Sequence, residues 1–522
     1  MSSATPINRE HAAKVSVCNF LIFFGCLAFH ILGTWSVPLI DRDEPRFAEA
    51  AREMRERADY VIPYFNNRYR FDKPPLIYWF QVGSYRVFGE NDFGARFPTA
   101  LAAAGVSVLI FAWGSRLDSK RVGLAAAGIF ATSLQVFLMA KAATADMWLV
   151  LFVTLAHWAG WELFQQESKR PPLNPPPQGY GATGVQRPTF NTVWWWIFSA
   201  ALALGFLAKG PIAWAPVIAV ASIALAVGRS RRSLLPILTA FVASVVLVCF
   251  WAVPALLRTN GEFFRIGIGR HVVERSFAVM EGHGASSFGV YLLLLPFYFV
   301  AVFASFFPWS IKLPALARKL WNNRKTAVGD RGYNQRDATD TYLLAGAGVI
   351  FLIFTFVRTK LPHYTLPAFP LLALLLARHL EIASSRFVRR VSIVVAGVLS
   401  TVALVAGPLW AGYFPARQLF LAARGDLRPE MEFATVGYNE PSLVWYFRRE
   451  VRGFLTEPPL KRETAKAFMQ KSGARFVILP TELAGSLFPN LPPDWKTFST
   501  QGFNIAKGKA VDLTLLLKPD TP

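Results

Sequence analysis

Asp43 and Glu44 stand side by side just before Pro45, and Asp72, Lys73, Pro74 and Pro75 follow in the same polar stretch. Carboxylates near cations suit general-base or acceptor-orienting work, because a neighbouring positive charge keeps them ionised. Two consecutive prolines stiffen the backbone after Lys73 and hold its ammonium on a rigid element. Farther on, Lys141 and Asp146 flank a very short connection, and Lys209 precedes Gly210 and Pro211. The stretch 261–287 carries Arg265, Arg270, His271, Glu274, Arg275 and His283, and 358–364 reads RTKLPHY. Cations gathered between apolar runs point to an anionic ligand, and a lipid-linked phosphate is the natural one. Each group alone has a plainer reading. Asp43, Glu44 and Asp146 suit helix caps, and Lys73, Lys209 and Lys360 suit lysines that snorkel to an interface. His271 and His283 lack the spacing of a zinc site and read as solvated. Their joint placement favours chemistry.

These residues need a scaffold, and composition says which kind. With 53% hydrophobic side chains in 522 residues and a mean hydropathy of +0.34, the chain reads as a polytopic membrane protein. Eleven apolar runs are each close to the twenty or so residues a bilayer requires. They fall near 17–38, 96–115, 121–140, 146–163, 192–208, 211–227, 234–257, 287–309, 341–357, 361–379 and 390–412. The net charge of +22 gathers in alternate loops between these runs, so it reports topology and not a nucleic-acid partner. The positive-inside rule then puts the amino terminus in the cytoplasm, and the odd count puts the carboxy terminus outside. The first run lacks a small-residue cleavage site and reads as a retained anchor. Cys18, Cys26 and Cys249 each lie in an apolar run, which offers neither a disulfide framework nor a CxxC site.

Between the first two runs, Pro45 opens a helix with Phe47, Ala51, Met54 and Ala58 on one face, a pattern expected to lie on the membrane surface. The Pro-rich segment 171–188 reads as an extended cytoplasmic linker. After Gly412 the composition becomes that of a soluble module. Strands are expected near 432–436, 475–479 and 511–517, and helices near 441–449 and 462–471. The expected organisation is a membrane region over 1–412, with 39–95 as its first outer loop and interfacial helices, and a soluble α/β domain over 413–522.

DEPRF at Asp43, DKPPLIYW at Asp72, FGENDFGARFP ending at Pro98, ATADM around Asp146 and LAKGP at Leu207 together resemble a family. KLPHYTLPAFP at Lys360 and YNEPSLVWYFRR at Tyr438 extend the resemblance to the outer domain. It is the bacterial aminoarabinose transferase-like group of the protein O-mannosyltransferase superfamily, membrane glycosyltransferases of the GT-C fold. The resemblance implies a mainly α polytopic fold of about 11 to 13 transmembrane helices with a small α/β domain outside the inner membrane. It also implies transfer of a sugar from a polyprenyl phosphate carrier to an envelope acceptor such as lipid A, on the extracytoplasmic face.

By the same resemblance Asp43 is the catalytic acid of the first loop, with Glu44 beside it, and Asp146 is the second essential carboxylate. Lys73, Tyr364 and an arginine of the Arg270 to Arg275 segment hold the carrier phosphate, and Lys209 joins them as a further cation. The one cofactor the resemblance admits is a divalent metal. Asp72, which stands where the family often has Glu, and His271 are the pair to hold it. The residues fit this chemistry independently. Fixed cations neutralise a phosphate leaving group, and a carboxylate on the far side of the anomeric carbon deprotonates the acceptor, giving single displacement with inversion. The competing class is a transporter or flippase of lipid-linked sugars, which should carry charges near mid-span. Few are present.

Overall fold

The computed structural model describes residues 6–168, 192–226, 234–267, 269, 288–330, 335–380 and 384–520. Each apolar run is helical over most of its described length. Among the described residues six helices are long and apolar enough to cross a bilayer: Asp92–Leu117, Asp146–Gln165, Thr192–Lys209, Leu235–Arg258, Ala338–Phe356 and Arg386–Ala411. Two further pairs pass the same test as bent units, Lys120–Ala131 with Leu134–Ala140 at 68° and Phe297–Ser305 with Trp309–Asn322 at 119°. Ser16–Ile31 and Pro211–Ala226 are shorter apolar helices. A broken helix in a bilayer must satisfy the polar groups it frees, and here the two breaks satisfy each other. The Leu134 amide donates to the Phe307 carbonyl at 2.9 Å, and Trp309 Nε1 donates to Thr132 Oγ1 at 3.0 Å.

The stretch after the first helix, Pro6–Ile31, is fastened by one buried ion pair. Arg96 donates to the Thr34, Val37 and Pro38 carbonyls and to both oxygens of Glu44, at 2.9 Å from Nε and 2.6 Å from Nη2. Glu44 also accepts from the Ile40 amide at 2.7 Å and the Ala143 amide at 2.6 Å. The local sequence explains why Arg96 is so placed. Asn91 caps the Asp92–Leu117 helix by accepting from the Gly94 amide at 2.8 Å, and a Cβ on Gly94 would meet the Gly89 carbonyl at 2.4 Å.

The helix Asp43–Arg57 differs from its expected place on the membrane surface: its charged face is buried as well as its apolar one. Glu49, Arg52 and Glu53 are covered by the carboxy-terminal module. Arg448 pairs with Glu49 and, at 2.7 Å, with Glu56, while Arg52 lies 4.1 Å from the Trp445 ring centroid. Glu53 accepts from the Asn66 and Asn67 amides, and both asparagines have positive φ in the turn between β1 (Tyr64–Phe65) and β2 (Arg68–Tyr69). That is the left-handed pair of a tight hairpin turn. Asp92 takes Trp445 Nε1 at 2.8 Å, Tyr446 at 3.0 Å and Arg449 at 2.8 Å, and Asp41 takes the Ser442 amide at 2.9 Å and its hydroxyl at 2.5 Å. Desolvation pushes the Asp41 carboxyl up to about 7 despite those donors.

The module is a four-stranded sheet in the order β3-β4-β6-β5, with β3 (Glu432–Thr435) parallel to β4 (Arg475–Pro480) and the remaining pairs, through β6 (Lys509–Lys518) to β5 (Lys496–Asn504), antiparallel. Helices Pro441–Phe447 and Arg462–Gln470 stand where the sequence placed them. The YNEPSLVWYFRR stretch therefore packs a helix end against the first loop. Arg448→Ala strands Glu49 among buried groups with Arg52 as its remaining partner, and breaking such a pair costs about 3–5 kcal/mol. The expected outcome is a lowered thermal melt and faster proteolysis of the module; an unchanged melt would leave the cluster without a stabilising part.

Candidate functional site

Three local devices bring distant residues to one place. Pro74 and Pro75 lead directly into the helix Leu76–Phe88, whose Phe80 ring stacks on Trp148 at 3.7 Å and 2°. That contact sets Lys73 beside the start of the helix that begins at Asp146. The helix Thr192–Lys209 ends at Gly210, whose φ of +82° lets the chain turn sharply into Pro211–Trp214 and leaves Lys209 at the helix terminus. The segment Pro362–Ala368 winds as a 3-10 helix with Pro362 in its first turn, presenting His363 and Tyr364.

Lys73, Asp146, Lys209, His363 and Tyr364 converge on a cavity of about 470 Å³. Lys209 and Asp146 form an ion pair in its wall, with Asp146 buried and Lys209 half-buried. The Lys209 ammonium also lies 5.4 Å from the Tyr364 ring centroid. Away from these groups the wall turns apolar through Ile212, Trp214, Val217, Ile218, Phe241, Ile353, Phe354 and Val357. The cavity is charged at one end and hydrocarbon-like along the other, a shape suited to an anionic headgroup on an apolar chain.

Asp43 is exposed at the start of its helix, and no cap bond is made by the preceding Arg42. Its carboxylate has no hydrogen-bond or ion-pair partner among the described residues. Its charge nevertheless acts on His363 in the cavity wall and on Arg70 behind it. Glu44, one residue on, is fully engaged by Arg96 and two backbone amides, so it fixes the loop that carries Asp43. Asp72 pairs with Arg70 at 2.9 Å, and Arg70 also donates to Tyr78 at 3.0 Å. Arg270, His271, Arg275 and His283 lie outside the described residues, so the Asp72–His271 metal pair has one described member; among the described residues no group of three metal-ligating side chains converges.

Two lysines outside the cavity wall have backbone partners. Lys360 donates to the Phe354 and Thr355 carbonyls, and Lys141 to those of Phe29, His30 and Leu32, so both close helix ends. Burial pulls Lys360 down to about 8. The reading of the sequence passed over His363. Its signal was its place directly before Tyr364 in a tight helix that turns both rings toward one cavity. The Arg96 clamp was equally silent, because an arginine in an apolar run names no partner.

Residues 72–171 match the family model described as dolichyl-phosphate-mannose-protein mannosyltransferase. The undecaprenyl phosphate-alpha-4-amino-4-deoxy-L-arabinose arabinosyl transferase of Edwardsiella ictaluri is 30% identical over 342 residues, 65% of this chain and 55% of that protein. The protein of the same name from Serratia proteamaculans is 28% identical over 408 residues, 76% of this chain and 66% of that protein. The chain thus spans little more than half the length of the first of these relatives. Among solved structures, ArnT from Cupriavidus metallidurans bound to undecaprenyl phosphate superposes with a TM-score of 0.68 at 17% identity, covering 97% of this chain and 98% of that one.

The architecture is that of the GT-C membrane glycosyltransferases, a multi-pass membrane fold. The sequence matches are to proteins of the aminoarabinose transferase-like kind that this sequence resembles.

Proposed function

We propose that this protein is a membrane glycosyltransferase that moves a sugar from a polyprenyl phosphate carrier to an envelope acceptor such as lipid A. The observation that carries this is the cavity where Lys73, Lys209 and Tyr364 meet Asp146 at the head of an apolar slot. A lipid-linked phosphate needs cations at its head and hydrocarbon along its tail, and the slot offers both. The names of the relatives, which specify undecaprenyl phosphate, agree with this chemistry.

In the proposed reaction the acceptor hydroxyl attacks the anomeric carbon as the bond from that carbon to the phosphate oxygen breaks. Asp43 takes the acceptor proton, and the carrier leaves as polyprenyl phosphate. Lys73 and Tyr364, with the Lys209–Asp146 pair behind them, bind the phosphate and stabilise the charge that grows on it, which removes the need for a general acid. Arg270 or Arg275 adds a further contact to the phosphate. One displacement inverts the anomeric centre. Glu44 acts through the loop it holds and not on the substrate. The site faces outward from the inner membrane, together with the carboxy-terminal module, since the basic loops lie at the opposite ends of the spans. A divalent metal at Asp72 remains part of the reading only with His271 as its partner.

The test is transfer of radiolabelled sugar from undecaprenyl phosphate-linked donors by the purified protein in lipid, with lipid A as acceptor. Labelled lipid A is the expected result. Movement of the donor across the bilayer without any labelled acceptor would replace the enzyme by a transporter.

A further inference from the structure

His363 lies in the cavity wall with Lys73, Asp146, Lys209 and Tyr364, and its ring meets Tyr364 edge-on at a centroid separation of 5.2 Å. It has no hydrogen-bond partner among the described residues, so both ring nitrogens are available to a ligand. The charged groups that act on it are Asp146, Lys209, Asp43 and Lys73, contributed by four separate parts of the chain.

We infer that His363 is a further phosphate-binding residue, one that takes up a proton as the released carrier phosphate settles in the cavity. The inference rests on the function proposed above. A sugar-linked carrier has a phosphodiester with one negative charge, whereas the departed carrier is a phosphomonoester that can bear two. Bond cleavage therefore creates charge at the place where an imidazole faces Lys73 and Lys209. Lys73 and Lys209 disfavour a second positive charge beside them, whereas Asp146 and Asp43 favour one. A neutral imidazole there donates one N–H and has a second nitrogen that can take up a proton. A phosphate with two charges raises its pKa and draws a proton from solvent.

The linkage has a definite sign. A group whose pKa rises on binding adds affinity fully below its free-site value and loses that contribution as pH climbs through the bound value. His363 should therefore strengthen binding of the released carrier as the solution is acidified, and discriminate the released carrier from the sugar-linked donor.

Undecaprenyl phosphate is titrated into the wild type and the His363→Asn protein in lipid nanodiscs, between about pH 8 and about pH 6, with calorimetry in two buffers of different ionisation enthalpy. The ratio of wild-type to variant affinity should grow about fivefold or more toward the acid end, and the wild type should take up more protons per carrier bound than the variant. Comparing the two proteins cancels the carrier's own titration, and His363→Gln supplies the same comparison if the Asn variant melts early. A ratio that stays flat with equal proton uptake would overturn the role of His363 alone. Failure of the wild type to bind undecaprenyl phosphate at any pH would overturn the proposed function and this inference with it.

Discussion

Asp43→Asn is expected to cut sugar transfer by about a hundredfold to ten-thousandfold while the melt and the binding of the lipid-linked donor stay near wild type. An amide cannot take the acceptor's proton and carries no charge to orient it. Its structural cost is small because the Asp43 side chain is exposed and bonded to nothing among the described residues. What it gives its helix is a first-turn charge, worth about 0.3–1 kcal/mol at most sites. Transfer by purified Asp43→Asn in lipid, with donor binding and a thermal melt alongside, separates the two contributions. Glu44→Gln makes a poor control, since it removes a charge from the buried Arg96 clamp and so disturbs the loop carrying Asp43. Asp59→Asn is a better one: it lies just beyond the same helix and pairs with Arg258 at the surface. A normally melting Asp43→Asn protein that transfers sugar at the wild-type rate would remove the base from the scheme.

The helices and most of the carboxy-terminal sheet were legible because their signals are local. Runs of apolar residues have the length of a bilayer, and Phe476 to Leu479 or Leu513 to Leu517 reads as a buried strand without reference to any partner. β5 escaped notice for the converse reason. Its sequence KTFSTQGFN alternates mostly polar residues along a sheet edge, where burial is slight. The charged face of Asp43–Arg57 was read as facing water, since Glu49 and Arg52 find Arg448 and Trp445 only across almost the full chain, 399 residues for the first pair. No periodicity reports a contact of that kind. The cavity was legible as a set of residue types, Lys73, Asp146, Lys209 and Tyr364, but not as a geometry. Convergence depends on the turn at Gly210 and the Phe80–Trp148 stack, and neither carries an individual signal. His363 shows the limit: nothing beside it in the sequence separates it from a solvated loop histidine, so its place in the cavity wall was invisible.

The Asp146–Lys209 pair sets the second large effect, and it can be dissected. Lys209→Met leaves a buried carboxylate without its ion-pair partner, so the expected result is a loss of about 3–5 kcal/mol in stability together with most of the activity. Asp146→Asn frees a cation toward the carrier phosphate. It should bind undecaprenyl phosphate at least as tightly as wild type while transferring poorly, because the ammonium is no longer held in place. The double variant Asp146→Asn with Lys209→Met removes both charges and leaves no buried ion unpaired, so its melt should recover much of what Lys209→Met loses. Activity then distinguishes a clamp from a working part. If the pair only braces two helix ends, the double variant regains transfer along with its fold. If its charges act on the phosphate, the double variant melts normally and stays inactive, and that second outcome is expected from the position of both groups in the wall of the cavity, with the ammonium close to the Tyr364 ring. Recovery of wild-type transfer by the double variant would assign the pair to the scaffold and leave Lys73, Tyr364 and His363 as the phosphate contacts among the described residues.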